Sequence, residues 1–144
     1  MINNILNNIP YYNSQSLTEL FYRDNAFYNS VHDIAWTAAS LNSETKRHPF
    51  DDLIDVCKNP AYYIENYGTN GREDDPNLGG WLIASSAIIT KIIIWLMECK
   101  NYSWEEAVDY CVEHGCFDMC AIDTHTINSQ NLDTTFDVIK DSTS

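Results

Sequence analysis

Apolar residues recur at helical spacing over most of the chain, and no stretch of useful length alternates with period two. Ser16 and Glu19 form a capping box. Beyond it, Leu17, Leu20, Phe21, Phe27, Tyr28, Val31, Ile34, Ala35, Ala38 and Leu41 mark one helix face. The spacing predicts one long helix over about 17–41. Asp24 falls on that stripe, so its carboxylate is expected at a helix crossing open to water or paired in the interior. Asn42 to Arg47 reads as a polar connector. Pro49, Asp51 and Asp52 suit the first turn of the next helix, whose inner face is Phe50, Leu53, Ile54 and Cys57. Asn59-Pro60 restarts the chain, and Gly68 closes a short helix carrying Tyr62, Tyr63, Ile64 and Tyr67.

A loop is expected from Gly68 to Gly80, with a turn signal at Asn70-Gly71. The segment after it is apolar nearly all round: Leu82, Ile83, Ile88, Ile89, Ile92, Ile93, Ile94, Trp95 and Leu96. A helix with no polar side is enclosed by others, so the 77–99 segment is read as the centre of the fold, with Ile88, Ile92 and Trp95 inaccessible. Its length approaches a membrane span. Lys91, Glu98, Ser85, Ser86 and Thr90 interrupt it, however, and no basic cluster flanks it to set an orientation. Ser103 and Glu106 form a second capping box, Trp104, Ala107, Val108 and Cys111 give an inner face, and Gly115 is the stop. A short helix is expected around 117–124. In the polar end of the chain, Leu132, Phe136 and Ile139 suffice for a docked turn or two. The fold class is therefore all-α: a compact bundle of about five or six helices around the 77–99 helix, with residues 1–130 as a single helical domain and 131–144 as a polar C-terminal tail.

Composition adds mainly charge. The chain has 144 residues, enough for a core without disulfides or metal. It carries 21 acidic against 8 basic side chains, a formal net charge of −13. Such a chain repels nucleic acid and anionic membranes and attracts basic proteins or cations. The start of the sequence has neither the basic region nor the apolar core of a secretory signal. The five Cys are expected reduced, in a cytoplasmic setting.

Candidate chemistry is sparse. Cys111, Cys116 and Cys120 lie near His114 and His125, but their spacing is not that of zinc knuckles, and buried Cys often serves as a small hydrophobe. His32-Asp33, with His48, Asp51 and Asp52 downstream, is similar to the metal-binding pair of HD-type phosphohydrolases, but no earlier His supplies the first ligand. A Cys nucleophile paired with His114 or His125 would need a cation to lower its thiol pKa, and cations are few. Glu73, Asp74 and Asp75 make an acidic loop without the alternating ligands of an EF-hand. No catalytic residue, metal site or cofactor is assigned.

One pattern remains. Glu105, Asp109 and Glu113 stand one turn apart, about 6 Å along one helix face, with Glu106 beside the row. Solvated helix faces usually mix signs, whereas this one has no Lys or Arg. Phosphates along a nucleic-acid strand are similarly spaced. In charge, size and helical content the chain is similar to small acidic helical proteins of phages and mobile elements that block restriction, CRISPR or repair proteins by imitating DNA, although no motif identifies a member. The expectation is a non-catalytic protein that presents Glu105, Glu106, Asp109, Glu113 and the Glu73, Asp74, Asp75 loop to a basic, nucleic-acid-binding surface of another protein, without binding nucleic acid or membrane itself. The alternatives are a small metal-dependent hydrolase built on His32 and Asp33, and a structural or regulatory homo-oligomer joined through exposed tyrosines.

Overall fold

The structure, a computed structural model, describes residues 2–68, 80–120 and 129–143. Among these residues the chain is all α, with ten helices: α1 Ile2–Asn7, α2 Ile9–Ser14, α3 Leu17–Arg23, α4 Asn25–Thr45, α5 Pro49–Lys58, α6 Pro60–Tyr67, α7 Gly80–Lys100, α8 Trp104–Glu113, α9 Cys116–Met119 and α10 Ser129–Thr143. The two longest, α4 and α7, have 21 residues each and pack against one another. Around this pair, α1, α5 and α6 lie on α4, while α2, α8, α9 and α10 lie on α7, and α3 touches α4, α7 and α10.

The helix count exceeds the five or six expected, for identifiable reasons. The single helix expected over 17–41 is two helices. Asp24 ends α3, its backbone N–H donating to the Leu20 carbonyl, and it caps α4 with its own carboxylate, which accepts from the Phe27 N–H at 2.8 Å. The Tyr12 hydroxyl donates to the same oxygen at 3.3 Å. A carboxylate that bonds to its own downstream N–H favours a cap over continued helix, and here it wins over the apolar stripe. Buried between Asp24 and the core, the Tyr12 phenol is pushed up to about 12, first by desolvation and then by the Asp24 charge.

Two N-terminal helices also went unpredicted. Ile5 and Tyr12 are buried and Ile9 packs against the core; their spacing of four and three is a helical signature hidden among asparagines.

α7 is the centre. Leu82, Ala84, Ala87, Ile88, Ile89, Ile92, Ile93, Ile94 and Leu96 are all buried. Leu82–Lys100 is long and apolar enough to cross a membrane, yet 72% of that apolar window is buried inside the fold. Trp95 departs from expectation: it is half-buried, packing one side against the core where α7 runs out toward exposed Glu98, Cys99 and Lys100. Residues 77–79, expected to begin this helix, lie outside the described residues. Gly115 stops α8 in a left-handed conformation (φ 70°) that a β-carbon would strain. The helix expected over 117–124 is represented by α9, whose four residues begin at Cys116; residues 121–124 lie outside the described residues.

The C-terminal segment forms a helix of 15 residues, longer than the docked turn or two anticipated. Leu132, Phe136 and Ile139 are buried. Asp133 reaches across to the start of α3, where Oδ1 accepts from the backbone N–H of Leu17 at 2.8 Å and Oδ2 accepts from the Thr18 hydroxyl. At the other end the Tyr110 hydroxyl donates to the Thr143 carbonyl at 3.0 Å.

One core residue is out of keeping with its surroundings. Lys91, on α7, is 1% exposed, and its ammonium has no hydrogen-bond partner among the described residues. Burial pushes its pKa down to about 8; the Asp133 charge opposes this and Lys140 adds to it. The nearest aromatic face is Phe136, whose ring centre lies 5.9 Å from Nζ. Below pH 8 the amine is protonated in folded and unfolded chains alike, and the desolvation penalty is complete. Between 8 and the unfolded value of 10.5 the folded chain sheds the proton first, so stability rises with pH. Lys91→Met keeps the shape without the charge. We predict that it raises stability at pH 7 by about 1–3 kcal/mol. Urea denaturation at several pH values checks this: the advantage should shrink between pH 8 and 10.5. A destabilised variant at pH 7 would show that Lys91 is held by interactions stronger than its burial penalty.

Candidate partner-binding surface

α8 is positioned by its inner face. Ala107, Val108 and Cys111 are buried against the core, and the Trp104 indole N–H donates to the Cys57 carbonyl on α5 at 2.7 Å. Its first turn is fixed by the predicted capping box: Ser103 Oγ accepts from the Glu106 N–H at 3.1 Å, and a Glu106 carboxylate oxygen accepts from the Ser103 N–H at 3.0 Å. The Ser103 backbone N–H, and after it the Ser103 hydroxyl, hold the Glu106 carboxyl below its usual range. Glu106, grouped with the binding residues on sequence grounds, thus has a structural role that accounts for it.

Glu105, Asp109 and Glu113 point the other way. All three are exposed, and none forms an ion pair with Lys or Arg among the described residues. Glu105 lies in the first turn, where it complements the positive helix end; Asp109 and Glu113 have no such compensation. Exposed Val112 lies beside Glu113. One flank does carry positive charge from outside the helix: Lys100 Nζ stands 5.3 Å from the centre of the Tyr110 ring. His114 stacks on Tyr110, the rings nearly parallel with centres 3.9 Å apart. Tyr102 is tilted against the same Tyr110 ring, at 5.8 Å. The acidic row is thus bordered by an aromatic group with one lysine.

Glu73, Asp74 and Asp75 lie outside the described residues, as does His125.

The remaining candidates are dispersed. His32 is half-buried on α4, its ring between Tyr28 at 5.7 Å and Trp36 at 4.7 Å. Asp33 is half-buried too, and desolvation raises its pKa. His48 caps α5, Nδ1 accepting from the Phe50 N–H at 3.1 Å. Roughly 20 Å of helix separates His32 from the end of α4, so the two groups do not converge. Asp52 is buried and fully engaged: Asn42 Nδ2 donates to it at 2.8 Å, the Thr45 hydroxyl at 2.7 Å and Arg47 Nε at 3.1 Å. Arg47 also donates to Asp55 at 2.7 Å, and the two carboxylates raise its pKa further. This network locks the α4–α5 turn. Among the described residues no group of three or more His, Cys, Asp or Glu is arranged to hold a metal. The tyrosines of α6 are partly covered: Tyr62 is exposed, while Tyr63 and Tyr67 are half-buried with rings in contact.

Four of the five thiols meet inside the fold. Cys57, Cys111, Cys116 and Cys120 are buried and Cys99 is exposed. Cys111 and Cys116 share a hydrogen bond that raises the first thiol and lowers the second. Burial pushes Cys57 up to about 12 and raises Cys120 as well. The Ser85 hydroxyl donates to the Cys120 carbonyl at 2.8 Å, tying α9 to α7.

Searches against known protein families, curated proteins and solved structures find no match for this chain.

Thiol chemistry gives a direct check of this arrangement. In native protein at pH 8, Cys99 should react rapidly with an aromatic disulfide reagent. The other four should wait for denaturation, because burial keeps the reagent from them. Rapid modification of two or more thiols in the folded protein would contradict the packing of α5, α8 and α9.

Proposed function

We propose that this protein is a non-catalytic acidic binding protein whose α8 face occupies a basic, nucleic-acid-binding surface of another protein, in the manner of a DNA mimic. The observation that carries the reading is the exposed row Glu105, Asp109 and Glu113, with no Lys or Arg ion pair along it among the described residues. Like charges four residues apart cost a few tenths of a kcal/mol per pair, a cost with no structural return at Asp109 and Glu113. Several other acids are employed: Asp24, Glu106 and Asp133 cap helices, and Asp52 holds a turn. The α8 row has no such task, and unlike the single exposed acids Glu44, Glu65 and Glu98 it sets three carboxylates on one helix face. Its pitch of about 6 Å suits cationic side chains set to bind successive phosphates. Glu73, Asp74 and Asp75 add three negative charges to the same chain. A setting in a host cytoplasm, as a phage or mobile-element counter-defence protein, fits these properties.

The test is a captured partner whose association kinetics are measured against salt. Exposed charges are screened beyond about 8–10 Å at physiological ionic strength, and rim charges act chiefly on the association rate. Reversing Glu105, Asp109 and Glu113 together to Lys should slow association by about tenfold or more and leave the helical circular dichroism unchanged. A partner whose binding ignores both the reversal and the salt would refute the reading.

A further inference from the structure

A second feature lies at the bend between α3 and α4. There an open cleft of about 210 Å³ is lined by Phe21, Tyr22, Asp24, Asn25 and Tyr28. At liquid density that is room for roughly seven waters. Phe21 is its buried floor, with Tyr22 edge-on to it at 5.0 Å and Tyr28 tilted against it at 5.3 Å. Both tyrosines are well exposed, at 53% and 39%, so their rings form accessible walls, with His32 packed against Tyr28 at 5.7 Å. Oδ1 of Asp24 is committed to Phe27 and Tyr12, while Oδ2 accepts no hydrogen bond among the described residues. The interruption of the helix at Asp24 also frees the last carbonyls of α3: those of Phe21, Tyr22 and Arg23 accept no backbone hydrogen bond among the described residues.

We infer that this cleft receives the arginine side chain of a partner protein, with Asp24 as counter-ion and Tyr22 and Tyr28 as stacking walls. The groups on offer are mainly acceptors and aromatic faces, with the Asn25 amide and the tyrosine hydroxyls able to donate as well. A guanidinium is their complement: it presents five donors and no acceptor, and its plane stacks on aromatic rings. An ammonium matches the charge but not the plane. A smaller cavity of about 90 Å³ adjoins through Asp24 and is lined also by Tyr11, Glu19 and Arg23. Across the two cavities Glu19 and Asp24 outweigh Arg23, so the local field favours a cation, as does the net charge of −13. The inference takes the basic character of the partner from the proposed function, but the site is separate from α8.

The experiment is a titration of the full chain with N-acetyl-arginine amide, followed by the amide and ring resonances of residues 21–28. Saturable shifts centred on Phe21, Tyr22 and Tyr28 are expected at millimolar concentrations. N-acetyl-citrulline amide, neutral and nearly the same shape, should be inert, and the lysine analogue should bind at least about threefold more weakly. Asp24→Asn keeps the cap of α4, since Asn caps as well as Asp, and should weaken binding about tenfold. Tyr22→Ala and Tyr28→Ala, both at exposed positions, should each weaken it about threefold to tenfold; they decide the matter if Asp24→Asn unfolds. Equal binding of citrulline or of the lysine analogue, shifts spread over the whole acidic surface, or indifference to the tyrosine variants would overturn the inference. The Glu105, Asp109, Glu113 reversal should leave arginine binding intact, so failure of the α8 reading and failure of the cleft are distinguishable.

Discussion

α7 has to be enclosed on every side, and the remaining helices are arranged around that requirement. Its side chains from Leu82 to Leu96 are almost all apolar and almost all buried. One partner helix covers only a stripe of such a surface, so several must surround it. α2, α3, α4, α8, α9 and α10 all touch it. Small residues at Ala84, Ser85, Ser86 and Ala87 are buried, which lets neighbours come close. Each fully buried isoleucine contributes about 1.5–3 kcal/mol relative to exposure, which offsets much of the cost of ordering the short helices around α7. Those helices are too short to hold their shape alone.

Carboxylates do the joining. Asp24 ends one helix, starts the next and holds Tyr12 of α2. Asp52 gathers Asn42, Thr45 and Arg47 into the α4–α5 turn. Asp133 of α10 caps α3 from across the fold. In each case a charged acceptor answers backbone or side-chain donors that would otherwise lie half-buried and unpaired, where loss of a bond costs about 1–3 kcal/mol. The acidity of the chain is therefore of two kinds. One part holds helix ends together, and another, which includes the α8 row, faces solvent with no structural task beyond the dipole effect at Glu105. That division is the basis for reading α8 as a binding face.

Much of the architecture was legible in the sequence because it rests on period and capping. The apolar run marked α7, Ser103 with Glu106 marked the start of α8, and Gly115 marked its end. Asn59-Pro60 marked α6, and Pro49 with Asp51 and Asp52 marked α5. What escaped depended on tertiary choice. Asp24 was recognised as anomalous, yet whether a carboxylate on an apolar stripe bends the chain or is paired within a straight helix depends on a partner, Tyr12, twelve residues away. The hold of Asp133 on α3 spans more than a hundred residues and leaves no local trace. The α3–α4 cleft was missed for the same reason: Phe21, Tyr22 and Tyr28 fit a helix face equally well whether or not the chain breaks between them. The α8 row was visible at once, since its signal is local spacing and charge.

If α7 is the element on which the fold depends, its amides should open only when the whole molecule unfolds. Native-state hydrogen exchange across a range of low denaturant concentrations measures this residue by residue. The account predicts that Ile88 to Ile94 exchange with the free energy and denaturant dependence of global unfolding, while α1, α6 and α9 open at lower cost. Exchange of the Ile88–Ile94 amides through a local opening, with α4 or α10 still protected, would contradict it.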